Sequence, residues 1–115
     1  MSVRIWEFRI GHILEAIENI RTFVEGMDFE AFRQDLKTVH SVVYNLTIIG
    51  EAVGQVPAEV RTAHQEVPWD DMRRMRNVLV HQYNRIDLGV VWKTVQNDLP
   101  PLVPVLKRLL REGAR

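Results

Sequence analysis

Apolar side chains recur at every third or fourth position along most of the chain, a spacing that places them on one face of an α-helix. The first such segment predicts a helix over residues 2–25, with Ser2 as its N-cap and Gly26 as its stop. Its apolar stripe comprises Val3, Trp6, Ile10, Ile13, Leu14, Ile17, Ile20 and Val24. The opposite side carries a second strip, formed by Ile5, Phe8, Ala16 and Phe23 with His12 among them. A helix that is apolar on two sides must bury both, within a bundle or against a partner chain.

A second long helix is predicted over residues 29–53, with Asp28 as its N-cap. The side chains on its apolar face are Phe32, Leu36, Val39, Val43, Leu46, Ile49 and Val53. At 1.5 Å per residue, each of these two helices would span about 35 Å. Helices of this length in a chain of 115 residues leave long side faces, which dimerisation commonly covers.

Two prolines mark the starts of the next two helices. Pro57 predicts a short helix that reaches about His64, because proline is tolerated in the first turn of a helix. Pro68 in the same way predicts a helix over residues 69–83.

Asp87 is the predicted N-cap of a further helix that begins at Leu88. The stripe of this helix comprises Leu88, Val91, Trp92, Val95, Leu99, Leu102, Leu106 and Leu109. Three prolines must break or kink it, namely Pro100, Pro101 and Pro104. Asp98 is a candidate cap for its restart, which would place two of these prolines in a first turn, where a missing N–H matters little.

No segment alternates apolar and polar residues as a strand would, so the predicted fold class is all-α. The predicted architecture is an up-and-down bundle of four main helices plus a short one, in a single domain of residues 1–115. The chain has no cysteine, which excludes disulfides, thiolate metal sites and a cysteine nucleophile. Its 15 basic and 15 acidic residues exclude a polycation built to coat nucleic acid. Neither a signal peptide nor a membrane span is predicted, so the expected location is cytoplasmic.

The segment from Trp69 to Tyr83 carries the residues best suited to chemistry. At 100° per residue, one sector of this helix faces the core, and it comprises Met72, Met75, Val78 and Leu79. Arg76 and Tyr83 are seven residues apart and share one face, whereas Asn77 and His81 are four apart and share another. Between the two faces lie Arg73, Val80 and Asn84.

Arg76 and His81 are five residues apart, which is about 140° around a regular helix. They cannot touch each other on such a helix. They could both border one groove, particularly if a second copy of the helix crossed nearby.

These residue types suit phosphate chemistry. Arg76 and Arg73 can hold a phosphate and stabilise additional charge in a transition state. His81 can serve as a general base or acid near neutral pH, and Asn77 can orient a phosphate oxygen or the imidazole. Tyr83 offers a stacking face for a base, or a hydroxyl. Because RNA supplies its own nucleophile in the 2′-OH, an arginine and a histidine could cleave it without a metal.

A purely structural interpretation of the same segment is also available. Asp70 and Asp71 could pair with Arg73 and Arg74 on a solvated face, and a single histidine on a helix is more often structural or exposed than catalytic. The periodicity therefore does not by itself indicate an enzyme. The chain has no Glu-x-x-His pair for a di-iron bundle, no H-E-x-x-H zinc motif and no glycine-rich phosphate loop.

Arg76, four intervening residues, His81 and Tyr83 form an R-x4-H-x-Y pattern. This pattern resembles the signature of the HEPN superfamily, and specifically that of HepT-like ribonuclease toxins. The surrounding sequence resembles that family in the same order and spacing, in Gly50-Glu51-Ala52, Pro68-Trp69, Met75-Arg76-Asn77, Ile86-Asp87, Val91-Trp92 and Asn97-Asp98-Leu99-Pro100. The resemblance covers nearly the whole chain and is best over residues 46–106.

This resemblance implies a HEPN helical bundle that acts as a homodimer, in which the motif helices of two chains meet and supply a composite site. The implied activity is metal-independent endoribonuclease cleavage without a cofactor. Arg76 and His81 would be the catalytic pair, with Asn77, Arg73 and Tyr83 as supporting or RNA-binding residues. The implied partner is a minimal nucleotidyltransferase antitoxin of a type VII-like toxin–antitoxin pair, with Tyr83 as the candidate acceptor of AMP.

Two other functions remain compatible with the sequence. The first is a non-catalytic HEPN module that dimerises and binds a nucleotide or a partner through Arg76 and His81. The second is a structural helical adaptor, in which neither residue has a specific function.

Overall fold

The computed structural model describes residues 5–113, except for the side-chain environments of Tyr83 and Gly113. Helices account for most of these residues, and no strand occurs among them. The α-helices are α1 (Ile5–Val24), α2 (Phe29–Gln34), α3 (Leu36–Gly54), α4 (Ala58–Ala63), α5 (Trp69–His81), α6 (Leu88–Lys93) and α7 (Leu102–Gly113). A 3₁₀ turn follows α5 at Tyr83–Arg85, and a π turn follows α6 at Thr94–Asp98. The predicted all-α class is confirmed.

The helix predicted over residues 29–53 is two helices, because the chain leaves the helical conformation at Asp35. Asp35 has φ −101° and ψ 90°, and its own N–H donates to the carbonyl of Phe32. Its carboxylate accepts the N–H of Thr38 at 3.2 Å, so the same residue ends α2 and caps α3. An aspartate can replace a helical backbone hydrogen bond with one from its side chain, which is why a continuous apolar pattern did not predict the break. Asp28 caps α2 as predicted, accepting the N–H of Ala31 at 2.8 Å.

The core lies between α1 and α3, with α7 packed against α1 and α5 packed against α3. The predicted stripes supply most of it, and its fully buried side chains include Ile10, Ile13, Ile17, Ile20, Phe32, Val42, Val53, Leu106 and Leu109. On α3 the prediction is wrong for Leu36, which is 65% exposed, and Val42 is fully buried where Val43 was predicted. Asn45 is buried among them and is satisfied by two hydrogen bonds, donating to the carbonyl of Ser41 and accepting from Asn19. The ring of Trp92 packs on the ring of Phe32 at a centroid distance of 5.1 Å.

The second apolar strip of α1 is largely exposed within this chain, so it is not buried inside the bundle, and its burial against a partner chain stays a prediction. Ile5 and Phe8 are each 62% exposed and Phe23 is 40% exposed, and His12 is also exposed. Ala16 is instead buried and belongs to the core. Ser2 and Val3, the predicted cap and first apolar residue of this helix, lie outside the described residues.

The break predicted at the prolines is confirmed, but its geometry differs from the expectation. Asp87 caps α6 by accepting the N–H groups of Gly89 at 2.9 Å and Val90 at 3.2 Å. Asp98 does not cap a restart, since it ends the π turn that follows α6. The next helix begins at Leu102, beyond Pro100 and Pro101, and Pro104 sits in its first turn.

The molecule is elongated, with extents of 49 × 29 × 22 Å. This agrees with the long side faces expected from two long helices. None of the helices between residues 5 and 113 combines the length and apolar character needed to cross a bilayer.

Replacing Asp35 with alanine is expected to lower the free energy of unfolding, because the Thr38 N–H loses its acceptor at the junction of α2 and α3. Asp35→Asn keeps a side-chain oxygen and should retain most of the stability. Urea unfolding at pH 7 measures both effects. Equal midpoints for Asp35→Ala and the wild type would contradict the assigned cap.

The same cap predicts a pH dependence. The hydrogen bond from the Thr38 N–H is the main cause that holds the pKa of Asp35 below its ordinary value of 3.8. Its stabilisation is therefore fully present above pH 3.8 and is lost as the pH falls through the lower pKa of the folded state. The wild type should lose more stability than Asp35→Asn between pH 5 and this lower pKa, and parallel curves would contradict the assignment.

Candidate functional site

The start of α5 is held in place by Trp69. This side chain is 6% exposed, and its indole Nε1 donates a hydrogen bond to the carbonyl of His64 at 3.0 Å. Pro68 occupies the N-cap position. The indole therefore fixes the entry of the chain into the helix.

Further along the helix, between Met72 and Arg76, α5 crosses α3 at Gly50. A Cβ atom on Gly50 would lie 2.0 Å from the Cβ of Arg76, 2.7 Å from its Cγ and 3.1 Å from the carbonyl oxygen of Met72. Two of these distances are far below van der Waals contact, so the two helices approach as closely as they do only because position 50 has no side chain. The stem of Arg76 is thereby packed directly on the backbone of α3.

The guanidinium group of Arg76 is held by two neighbours. Nη2 donates to the carboxylate of Glu51, with which it forms an ion pair, and Nη1 donates to Oδ1 of Asn77 at 3.1 Å. Nε is inaccessible to solvent and has no hydrogen-bond partner in the part of the chain that the structure describes. The side chain of Arg76 is 31% exposed and that of Glu51 is 52% exposed, so the pair lies at the surface with one edge open to solvent.

That open edge borders a cleft of about 210 Å³ between the end of α3 and the middle of α5. Its lining residues are Gly50, Glu51, Gly54, Gln55, Arg73, Arg76 and Asn77. A water molecule occupies about 30 Å³ in the liquid, so the cleft can admit a phosphate group with part of a nucleotide. It carries two arginines against one glutamate, which gives it a net positive charge.

Three of the five residues predicted for the site, namely Arg73, Arg76 and Asn77, therefore lie together in one cleft. His81 does not line it. His81 is the last residue of α5 and is exposed, at about 140° around the helix and about 7.5 Å along the axis from Arg76. A single chain thus presents the guanidinium and the imidazole on different sides of one helix.

The prediction that the helix continues to Tyr83 is wrong. α5 ends at His81, and Gln82 leaves the helical conformation with φ −127° and ψ 34°. The backbone of Tyr83 opens the 3₁₀ turn, so Arg76 and Tyr83 do not share a helical face through their spacing of seven residues. The side chain of Tyr83 lies outside the described residues.

Two valines of α5 are exposed, and they lie on different sides of the helix. Met72 and Leu79 are buried and Met75 is partly buried, as predicted, but Val78 is 41% exposed. The sector of α5 that α3 covers is narrower than the predicted stripe, and Val78 lies beyond its edge. Val80 is also 40% exposed, so two valines face solvent on the helix that carries the motif.

Two further features of the segment bear on its chemistry. Arg74 pairs with Asp71 at 2.9 Å on a solvated face, as the structural interpretation expected, whereas Arg73 lines the cleft. Between residues 5 and 113, histidine, aspartate and glutamate side chains nowhere gather in a group of three or more that could hold a metal ion.

Sequence reasoning missed the contributions of Gly50, Glu51 and Gln55 to the cleft. Gly50 and Glu51 are part of the family resemblance, which gives neither of them a role. A glycine inside an otherwise strong helical pattern is a signal of close backbone approach, and it was available in the sequence. The partner of that approach lies 26 residues away, beyond the reach of periodicity.

The sequence matches known proteins along most of its length. The model of a family described as ribonuclease HepT-like matches residues 13–109. A protein of Thermococcus cleftensis named "Probable ribonuclease HepT" is 43% identical over 97 residues, which cover 84% of this chain and 88% of that protein. A protein of Caldanaerobacter subterraneus subsp. tengcongensis, provisionally named an RNase, is 36% identical over 103 residues, covering 90% of this chain and 92% of the relative. No solved structure matches the chain significantly.

Gly50→Ala is expected to destabilise the protein by about 1–3 kcal/mol, because the added methyl group overlaps the stem of Arg76 and pushes α5 away from α3. Gly11→Ala is the matched control, since it lies in α1 and a Cβ there meets nothing within 4 Å. That control should be neutral or more stable, by up to about 1 kcal/mol, because alanine favours a helix more than glycine does. Chemical unfolding of the two variants measures both, and equal stabilities would show that the crossing tolerates a side chain.

Proposed function

The chain belongs to the HepT-like ribonuclease family, and from this premise we propose that it is a metal-independent endoribonuclease that acts on RNA in the cytoplasm. The observation that carries the proposal is the guanidinium of Arg76, held by Glu51 and Asn77 at the edge of a positively charged cleft. A guanidinium fixed in this way is prepared to bind a phosphodiester and to stabilise the charge that develops on it.

In the proposed reaction, His81 accepts the proton of the ribose 2′-OH, and the 2′ oxygen attacks the adjacent phosphorus. Arg76 stabilises the additional negative charge on the phosphoryl oxygens, with Arg73 and Asn77 holding the same phosphate. The bond from phosphorus to the 5′ oxygen breaks, and that oxygen takes up a proton from an imidazolium. The products are a 2′,3′-cyclic phosphate and a free 5′-OH.

We propose that two chains build this site. Within one chain the side chains of Arg76 and His81 lie on different sides of α5, so one phosphate is not reached by both. A second copy crossing the outward side of α5 would bring its own His81 towards the cleft. Val80, which is 40% exposed and lies between Arg76 and His81 around the helix, supports a contact on that side, because its burial against a partner is favourable.

We further propose that the protein is the toxin of a toxin–antitoxin pair whose antitoxin is a minimal nucleotidyltransferase. The support is the R-x4-H-x-Y pattern, in which Tyr83 follows His81 by two residues. AMP attached to Tyr83 would place an anionic phosphate near the imidazole. Repulsion between that phosphate and RNA would then block the site.

A second candidate function is a dimeric module that binds a nucleotide without cleaving RNA. One observation favours it. The carboxylate of Glu51 neutralises much of the charge of Arg76 before any substrate arrives. A phosphate could bind beside such a pair without strong stabilisation of a transition state.

The purified protein is expected to cleave a structured RNA in excess EDTA. His81→Ala should slow cleavage by about 10²- to 10⁴-fold, because a general acid–base group is removed. Arg76→Ala should slow it by about 10²- to 10³-fold, which is the usual effect of losing one donor to a developing charge. Arg74→Ala is the matched control, since Arg74 is an exposed residue of the same helix that pairs with Asp71 and lies outside the cleft.

The outcomes of this experiment separate the candidates. EDTA-resistant cleavage that is lost in both variants and kept in the control supports the nuclease. A wild type that binds a mononucleotide through Arg76 but leaves RNA intact, with an unmodified intact mass, supports the binding module instead.

Mixing Arg76→Ala with His81→Ala is expected to restore part of the activity. A mixed dimer contains one intact arginine and one intact histidine on different chains, and these can meet in a composite site. Cleavage is measured after subunit exchange, with native mass spectrometry to show that mixed dimers form and each variant alone as the control. Mixed dimers without any recovered activity would show that Arg76 and His81 of the same chain must act together.

A further inference from the structure

The residue that holds Arg76 from the other side of the cleft is Glu51, which belongs to α3 and not to the motif helix. It directly follows Gly50, where the absence of a side chain lets α5 approach α3. Glu51 and Arg76 are 25 residues apart in the chain and are brought together only by this crossing. The contact is thus a tertiary feature of the fold.

The contact with Glu51 uses one of the N–H donors of Arg76 and leaves others free for a substrate. A guanidinium carries five N–H groups. The Nε group is buried, one N–H on Nη2 is taken by Glu51, and one on Nη1 is taken by Asn77. One N–H on each Nη atom remains for a phosphate. Two anchors on two sides prevent rotation of the group, so these two donors keep a fixed direction.

We propose that Glu51 is a positioning residue for Arg76 in the RNA cleavage set out above, on which this inference rests. Its carboxylate fixes the guanidinium in the orientation that presents two donors to the scissile phosphate. Glu51 does not touch the reacting atoms, and it acts through Arg76.

The negative charge of Glu51 also acts on the substrate, and this effect opposes the benefit of holding Arg76 in place. The charged residues that line the cleft are Arg73, Arg76 and Glu51, whose formal charges sum to +1. Removing the charge of Glu51 would raise that sum to +2 and strengthen the attraction for an RNA phosphate. Glu51 therefore weakens binding of the substrate while it improves the geometry of the transition state, and its removal should change KM and kcat in distinct ways.

A contribution to the fold alone would not produce this pattern. The Glu51–Arg76 pair is partly exposed, and exposed ion pairs contribute little to stability. If the pair served only the fold, its loss would reduce the folded fraction and leave the kinetic constants of the folded molecules unchanged.

The test compares Glu51→Ala and Glu51→Gln with the matched control Asp71→Asn. Asp71 forms an ion pair with Arg74 at 2.9 Å and lies outside the cleft, so the control removes one negative charge near the motif helix without touching the site. The probe is one RNA of defined sequence, cleaved in EDTA at fixed ionic strength. Thermal unfolding of each variant reports the folded fraction.

Glu51→Ala is expected to lower kcat by about 10- to 100-fold, because a misplacement on the order of 1 Å at a reacting centre has effects of this size. It should also lower KM by about fivefold through the lost repulsion. Glu51→Gln should lower KM to the same extent but reduce kcat less, because its amide oxygen can still accept from Arg76. Asp71→Asn should leave both constants unchanged.

Two kinetic outcomes would overturn the proposal. The first is a Glu51→Ala variant whose kcat stays within about twofold of the wild type, well short of the effect expected from misplacement. The second is a loss of activity that follows the unfolded fraction with no change in KM, which would assign the residue to the fold.

A spectroscopic measurement keeps this inference separable from the proposed function. The ¹⁵N-bound protons of the Arg76 guanidinium are recorded by NMR in the wild type and in Glu51→Ala, with assignment by Arg76→Lys. Separate, slowly exchanging Nη signals in the wild type that average in the variant support the positioning role. If the wild type cleaves no RNA, the proposed function fails, and these signals still decide whether Glu51 holds Arg76. Equally averaged signals in both proteins would show that it does not.

Discussion

The close crossing of α3 and α5 is the contact on which the rest of the site depends. It exists because position 50 is a glycine, so that the stem of Arg76 can lie directly against the backbone of α3. The crossing buries Nε, brings Glu51 within reach of Nη2 and opens a cleft at the end of α3. The crossing thereby fixes the position of α5 on α3. The stability of the fold and the geometry of the site therefore both depend on the contact between Gly50 and Arg76.

The helices and the break at the prolines were predictable from the sequence, but the interruptions at Asp35 and at the π turn were not. The stripes of α1 and α3 bury an apolar face in the way that a spacing of three and four residues requires. Asp35 interrupts such a stripe because its carboxylate replaces one backbone acceptor, and the buried face shifts after it, since Leu36 is 65% exposed and Val42 is fully buried. The π turn at Thr94–Asp98 similarly adds one residue to a helical turn within an apolar run. The pattern of apolar side chains does not show where a backbone hydrogen bond is replaced or shifted in this way.

The candidate site was predictable as far as one helix could define it. Arg73, Arg76 and Asn77 lie within two turns of α5, so their spacing alone placed them near one another. Tyr83 was misplaced because the helix was extended past its end, and Val78 was misplaced because α3 covers a narrower sector than the stripe suggests. Glu51 comes from another helix, and only the tertiary crossing joins it to the arginine. Periodicity therefore groups the residues of α5, but it does not predict that Glu51 is the neighbour of Arg76.

The arrangement separates the two chemical tasks of the proposed reaction in space. The cleft between α3 and α5 contains the groups that bind and stabilise a phosphate, whereas the imidazole of His81 stands at the exposed end of α5. One chain would therefore hold a phosphate without completing a proton transfer at the same atom. On the proposed dimer model, activity would require a second chain to supply the imidazole, and the exposed Val80 of α5 would couple that assembly to burial of apolar surface. Any group that alters the outward side of α5 would then control cleavage without touching Arg76.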